Sequence, residues 1–184
     1  MKVLKIFNEH IFKYMPLELP DKLGEGSDGE VFTFGDVAIK FGVKFTETDM
    51  DSVTKIMNYL ILNKNDSFVN IHKYVYCGEY DNKFLYYYIM DKLNCISDDE
   101  SKVFRSIISH EDSNIKKNFS ILEIKKMLKG MAVGLDFDAA MVIFFCERLQ
   151  DSPVNHNDLH ERNIMKDSKG YFHLIDFDRA TIRN

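Results

Sequence analysis

Four stretches of the chain carry residue types suited to handling phosphate, a divalent ion and a hydroxyl. Gly24-Glu25-Gly26-Ser27-Asp28-Gly29-Glu30-Val31 follows the pattern G-x-G-x-x-G-x-V. Glycines in such a string let backbone amides approach phosphate oxygens with no Cβ in the way. A dinucleotide-binding turn uses a similar string but opens a helix, whereas this one leads into strand residues; the plain alternative is a flexible turn. Val37-Ala38-Ile39-Lys40 follows, and strand alternation sets Lys40 on the face opposite Ile39. Below a glycine loop its ammonium can hold phosphate oxygens as a point charge; without that loop it would read as a surface lysine. The third stretch is His156-Asn157-Asp158-Leu159-His160-Glu161-Arg162-Asn163, and the fourth is Leu174-Ile175-Asp176-Phe177-Asp178. An apolar strand with an isolated acid at its end aims a carboxylate into a cleft. Two magnesium-holding groups and a base beside the attacking hydroxyl are what phosphoryl transfer needs.

The elements that must position these residues are legible from periodicity. Residues 21–44 read as strands broken by turns, with Val31–Phe34 and Val37–Phe41 forming a hairpin around Gly35-Asp36. Met50, Val53, Met57 and Leu60 then recur at helical spacing, widened by Ile56 and Ile61, with Thr48 or Asp49 as the cap. Two strands, Lys73–Glu79 and Lys83–Met90, turn at Asp81-Asn82, and Asp91–Ser97 is a connector. Asp98-Asp99-Glu100 reads as a solvated helix start. Ser120 and Glu123 spell a capping box ahead of a helix, and Asp136–Leu149 is a second helix stopped by Asp151-Ser152-Pro153. Short strands at Ile164-Met165 and Phe172–Ile175 close the chain. The expected fold is therefore α+β in two lobes, a β-rich lobe with one helix over 1–90 and a helix-rich lobe over 91–184, with the cleft between them as the binding site.

The four stretches together resemble the protein-kinase-like superfamily: glycine loop, VAIK, H-x-D-x-x-x-x-N and D-F-x, in the family's order. Asn163 lies five residues after Asp158, and Asp176 thirteen after Asn163, and the match covers roughly residues 20–180. The resemblance implies a two-lobe kinase-like fold acting with ATP and Mg²⁺. It implies that Gly24, Gly26 and Gly29 cover the phosphates and that Lys40 pairs with the α- and β-phosphates. Val31 and Ala38 join the nucleotide-binding set, Met90 resembles the gatekeeper, and the backbones of Asp91 and Leu93 hold adenine. Asp158 is the implied catalytic base, with Lys40 and Asn163 beside it in the catalytic set. Asn163, Asp176 and Asp178 form the metal set, and His156 braces the loop.

The departures narrow the expectation. Protein kinases pair the strand lysine with a helix glutamate, but here the corresponding face offers Thr54, Lys55 and Asn58; Asp51 is the nearest substitute. His160 stands where protein kinases carry lysine, and Asp178 where they carry glycine. D-L-H and D-F-D resemble aminoglycoside phosphotransferases, and LIDFDRA resembles lipopolysaccharide-sugar kinases. Asp178 either adds a carboxylate near the metal or pairs with Arg179 or Arg162. Eight residues follow Asp176, so a truncated helical C-lobe is expected, without an activation segment. The size resembles minimal kinases of bacterial effectors and small phage or viral kinases. The leading expectation is a minimal serine/threonine protein kinase; a small-molecule kinase and a nucleotide-binding pseudokinase are the alternatives.

Composition excludes other classes. With 45% hydrophobic and 13% aromatic residues in 184, a core can form, so disorder is excluded. A net charge of -5 with no basic block argues against a nucleic-acid partner. The longest apolar stretch, 139–146, is too short for a membrane span, and polar residues interrupt the N-terminus too often for a secretory signal. Cys77, Cys95 and Cys146 read as buried thiols of a cytoplasmic protein, in a host cytoplasm if phage- or effector-encoded. The expected partners are a protein substrate and a protein partner or second copy covering the short C-lobe around 136–149.

Overall fold

A computed structural model describes residues 2–18, 21–26, 28–109, 114–115 and 120–183. The chain is mixed α and β with antiparallel sheets, an α+β arrangement, and divides into two compact units. The first comprises Met1–Asn63 and Asn70–Lys92; the second comprises Lys64–Val69 and Leu93–Asn184. Sequence reading did not separate the short segment 64–69 from the β-rich part.

The first unit is built on a five-stranded sheet, ordered β1-β2-β3-β5-β4. Its strands are β1 (Lys22–Glu25), β2 (Gly29–Phe34), β3 (Val37–Lys44), β4 (Ile71–Tyr80) and β5 (Lys83–Asp91), all paired antiparallel. The β2–β3 hairpin turns at Gly35, whose φ of 61° favours a residue without a Cβ. The β4–β5 hairpin turns at Asp81 and Asn82, with φ of 50° and 54°, left-handed positions that these short polar side chains tolerate.

Both faces of this sheet are covered. Helix α1 (Val3–His10) lays Val3 and Phe7 on Phe32, Phe41, Val43 and Leu85, and the Phe7 and Phe41 rings meet edge-on at 4.9 Å. Each such buried side chain contributes about 1.5–3 kcal/mol. Helix α2 (Glu47–Leu62) begins earlier than its apolar period predicts. Thr46, not Thr48 or Asp49, is its cap and accepts the Asp49 N–H. It buries Met50, Val53, Ile56, Met57 and Leu60, and Thr54 hydrogen-bonds the Tyr74 hydroxyl at 2.8 Å. Tyr74 stands opposite Tyr88, and Tyr88 opposite Lys40, so α2 meets the sheet face that carries Lys40.

The second unit holds β6 (Asn94–Cys95), α3 (Asp98–Ile107), β7 (Ile108–Ser109), β8 (Asn114–Ile115), α4 (Ile121–Met131) and α5 (Ala139–Gln150). It continues with β9 (Val154–Asn155), a 3₁₀ turn at Glu161–Asn163, β10 (Ile164–Lys166), β11 (Phe172–Leu174) and β12 (Thr181–Ile182). Ser97 and Glu100 cap α3 reciprocally, and Ser120 and Glu123 do the same for α4, as the latter's sequence predicts. Helix α5 starts three residues later than expected, because the Asp138 carboxylate accepts the N–H groups of Ala140 and Met141. Its core contribution is Val142, Phe145 and Cys146.

Two expectations are corrected. Glu100 is not solvated: it is buried, paired with Lys166 and bonded to the Ser97 N–H. Of the thiols only Cys146 is buried, where desolvation pushes it up to about 12. Cys95 is exposed because it lies on the short outer strand β6, and Cys77 is half-buried. Among the described residues no helix is long and apolar enough to cross a membrane.

Candidate functional site

In the first unit the glycine string is the tip of the β1–β2 hairpin. Gly24 pairs with Val31 and Glu25 with Glu30, and the Gly26 N–H donates to the Gly29 carbonyl at 2.9 Å. Ser27 lies outside the described residues. The three glycines differ in kind. A Cβ on Gly29 would sit 2.5 Å from the Phe41 carbonyl oxygen, so this position admits only glycine without backbone movement. A Cβ on Gly24 or Gly26 would meet nothing within 4 Å; around these two the loop is open.

Cross-strand pairing puts the remaining first-unit candidates on one sheet face. Val31 opposes Lys40, and Ala38 opposes Met90. Lys40 is buried, with its ammonium 5.9 Å from the Tyr88 ring centre. Ala38 and Met90 are buried beside it. Asp91 closes β5: its N–H donates to the Asn70 carbonyl at 3.1 Å and its carboxylate meets His72 at 2.6 Å. The acids of α2 nearest its start, Glu47, Asp49 and Asp51, are all exposed.

In the second unit the other candidates converge through the main chain of Ile175. The His156 Nε2–H donates to the Ile175 carbonyl at 2.8 Å, and the Ile175 N–H donates to the Asn163 carbonyl at 2.9 Å. Both ends of the 156–163 loop are thus tied to the residue immediately before Asp176. Asn163 is further bound from within the loop: its N–H donates to the His160 carbonyl at 3.0 Å and its Nδ2 to the Asp158 carbonyl at 2.9 Å. That use of Nδ2 as a donor fixes the orientation of the amide. Leu93, the remaining adenine candidate, is half-buried just ahead of β6.

Two backbones here are left-handed without being glycine: Asn157 at φ 60° and Asp176 at φ 63°. Such positions cost of order 1–3 kcal/mol and persist where the surroundings fix them. Asn157 is held by Nδ2 bonds to the Arg179 carbonyl (2.8 Å) and the Thr181 hydroxyl (3.1 Å). Asp176 lies between the doubly bonded Ile175 and Phe177, which is fully buried against Phe68 and His156. The strand leading to it is supported on both sides. β11 pairs with β10, and segment 64–69 adds a parallel bridge at Phe68–Leu174, with the Leu174 N–H donating to Ser67 at 2.7 Å. After Phe177 the chain turns at once, and β12 pairs antiparallel with β9, the strand that leads into the loop.

The electrostatics follow from burial. His156 is buried, and desolvation holds it below the ordinary imidazole value against the pull of the Ile175 carbonyl and the charges of Asp176 and Asp158. The neutral imidazole is therefore the favoured form, with its Nε2–H bonded to the Ile175 carbonyl. Asp158 is partly exposed, with Arg179 Nη1 3.9 Å from its Oδ2. Asp178 is buried; of the two arginines weighed for it, Arg179 faces Asp158 and Arg162 faces Glu161.

Sequence reasoning missed Glu161. It is buried and accepts Arg105 Nε from α3 at 2.8 Å. Burial pushes its carboxyl up, but its own N–H and Arg105 outweigh that and hold it below the usual range. With Glu100–Lys166 it gives α3 two ion pairs that buttress the 156–166 region. A glutamate next to an arginine in sequence gives no signal that its partner is 56 residues away.

Among the described residues no three His, Cys, Asp or Glu side chains converge into a ready-made metal cage. A magnesium site does not require one, since this ion binds through one or two carboxylates plus substrate phosphates and water. A comparison with protein-family models finds no match, and a comparison with curated proteins finds no relative.

Proposed function

We propose that the chain is an ATP- and Mg²⁺-dependent phosphotransferase, with protein serine or threonine hydroxyls as its acceptors. The observation that carries this reading is the frame around Ile175. Hydrogen bonds from His156 and Asn163 to a single residue fix Asp158, Asn163 and a left-handed Asp176 within one network. Preorganised polar groups of this kind serve a reaction in which positioning and charge neutralisation dominate.

In this reading the glycine hairpin takes the phosphates with its main-chain amides and Lys40 supplies a positive charge to them. Ala38, Val31 and Met90 give the purine an apolar seat, and the backbones of Asp91 and Leu93 bond its edge. The Asn163 amide oxygen and the Asp176 carboxylate hold Mg²⁺, with Asp178 as the further carboxylate. The bound ion would neutralise charge on the transferred group. Asp158, partly exposed, aligns the acceptor hydroxyl and accepts its proton.

The test is incubation of the purified chain with γ-labelled ATP, Mg²⁺ and a cell lysate. Labelled protein bands support the reading, and Asp158→Asn lowers the rate by roughly 10²–10⁴-fold while sparing nucleotide affinity. Label appearing only in small molecules moves the acceptor to a sugar or aminoglycoside class, which D-L-H and D-F-D favour. Nucleotide binding with no transfer to any acceptor leaves a binding module.

A further inference from the structure

The glycine hairpin is richer in acid than a phosphate-binding turn should be. Glu25, Asp28 and Glu30 all lie within residues 24–31, and a polyphosphate seated there would meet up to three like charges. Each is matched by a lysine. Lys22 pairs with Glu25 and with Glu30, the latter at 2.7 Å. Lys44 Nζ lies 2.7 Å from the Asp28 carboxylate.

In the Lys22–Glu30 pair the acid is the buried partner, 4% exposed against 34% for the lysine, whereas the Lys44 pair buries its cation: the lysine side chain is 9% exposed and the aspartate 27%. It is reinforced by the main chain, because the Val43 N–H donates to the Asp28 carbonyl at 2.9 Å. One residue on, Gly29 pairs with Gly42 and has no room for a Cβ. Lys44 and Lys40 are four residues apart on β3, on the same sheet face. Asp28 is thus drawn down toward the sheet, and its charge is neutralised away from the open Gly24–Gly26 side of the hairpin.

We propose that Lys44 is a positioning residue for nucleotide binding, the counter-charge that makes an acidic glycine hairpin acceptable to a polyphosphate. This rests on the functional reading above, which assigns the hairpin to ATP. It predicts an effect that depends on the ligand's charge and on Asp28, neither of which a merely structural lysine would produce.

Binding of ATP and of adenosine is measured by calorimetry on the full chain. Lys44→Met keeps the aliphatic stem and should weaken ATP binding roughly five- to tenfold, with adenosine unchanged within about twofold. Adding Asp28→Asn to Lys44→Met should restore ATP affinity to within about twofold of the parent. Equal weakening of both ligands, an unchanged ATP affinity, or no rescue in the double variant overturns the proposal. Where Lys44→Met does not fold, Asp28→Asn alone decides: it should bind ATP at least as tightly as the parent, and weaker binding overturns the proposal. A parent chain that binds neither ATP nor adenosine overturns the functional reading itself, a result distinct from all of these.

Discussion

The hairpin at Gly24–Gly29 is pinned on one side only, whereas the loop at His156–Asn163 is tied at both ends. On the hairpin, Asp28 and Gly29 are fastened to β3, while Gly24 and Gly26 face open space. In the loop, His156 and Asn163 are both bonded to Ile175, Asn163 also to the Asp158 carbonyl, and the buried Phe177 ring packs on His156. The difference matches the two tasks proposed for them. Phosphates can be met by a surface that adjusts, but an acceptor hydroxyl and a metal ion must be met at fixed places.

The contrast can be broken first at His156. His156→Ala removes the donor to Ile175 and the ring against Phe177, leaving a half-buried carbonyl without this donor beside a cavity. It should cost about 3–4 kcal/mol in chemical denaturation. A loss below about 1 kcal/mol would mean that the frame does not depend on this brace.

The hairpin offers a sharper internal comparison. Gly29→Ala forces a Cβ to within 2.5 Å of the Phe41 oxygen and should cost about 2–3 kcal/mol. Gly26→Ala meets nothing and should change stability by less than about 1 kcal/mol. Equal effects at the two sites would erase the distinction between the pinned and open sides.

How much of this was legible in the sequence depends on the range of the interactions. The hairpins at Gly35-Asp36 and Asp81-Asn82, the Ser120 cap and the sheet face of Lys40 follow from neighbours in sequence or from strand alternation. The start of α5 was misplaced because Asp136 and Asp138 compete as caps two residues apart, and pattern alone does not rank them. The pairing of segment 64–69 with β11 joins residues more than 100 positions apart through main-chain bonds, which carry no residue code. Arg105–Glu161 and Lys44–Asp28 are side-chain pairs 56 and 16 positions apart, and neither partner's identity marks the other in the sequence. For the site, the motif positions of Asp158, Asn163 and Asp176 were readable, but the Ile175 hub between them was not.

The two units should also differ in acid, though less than in the substitutions above. His156, Glu100, Glu161 and Asp167, all in the second unit, are held below their ordinary values. Burial is the cause for His156; for the carboxyls, ion pairs and N–H donors outweigh burial. In each case the unfolded chain binds protons more readily than the folded one, so stability is present at higher pH and lost as pH falls. The loss begins below about 6.5 through His156 and deepens below about 4.5 through the carboxylates. The lowered acids of the first unit, Glu25 and Asp81, are solvent-exposed pairs, which stabilise little. Amide hydrogen exchange on stepping from pH 7 to pH 5 should therefore show the second unit opening first; simultaneous opening would count against a special acid sensitivity of that frame.

The most direct test of the central claim is the Mg²⁺ dependence of ATP affinity in the parent chain and in Asp176→Asn. The account predicts that Mg²⁺ tightens ATP binding at least tenfold in the parent and has little effect in the variant, while adenosine binds both equally. An ATP affinity indifferent to Mg²⁺ in the parent, or a full Mg²⁺ response retained without the Asp176 carboxylate, would contradict it.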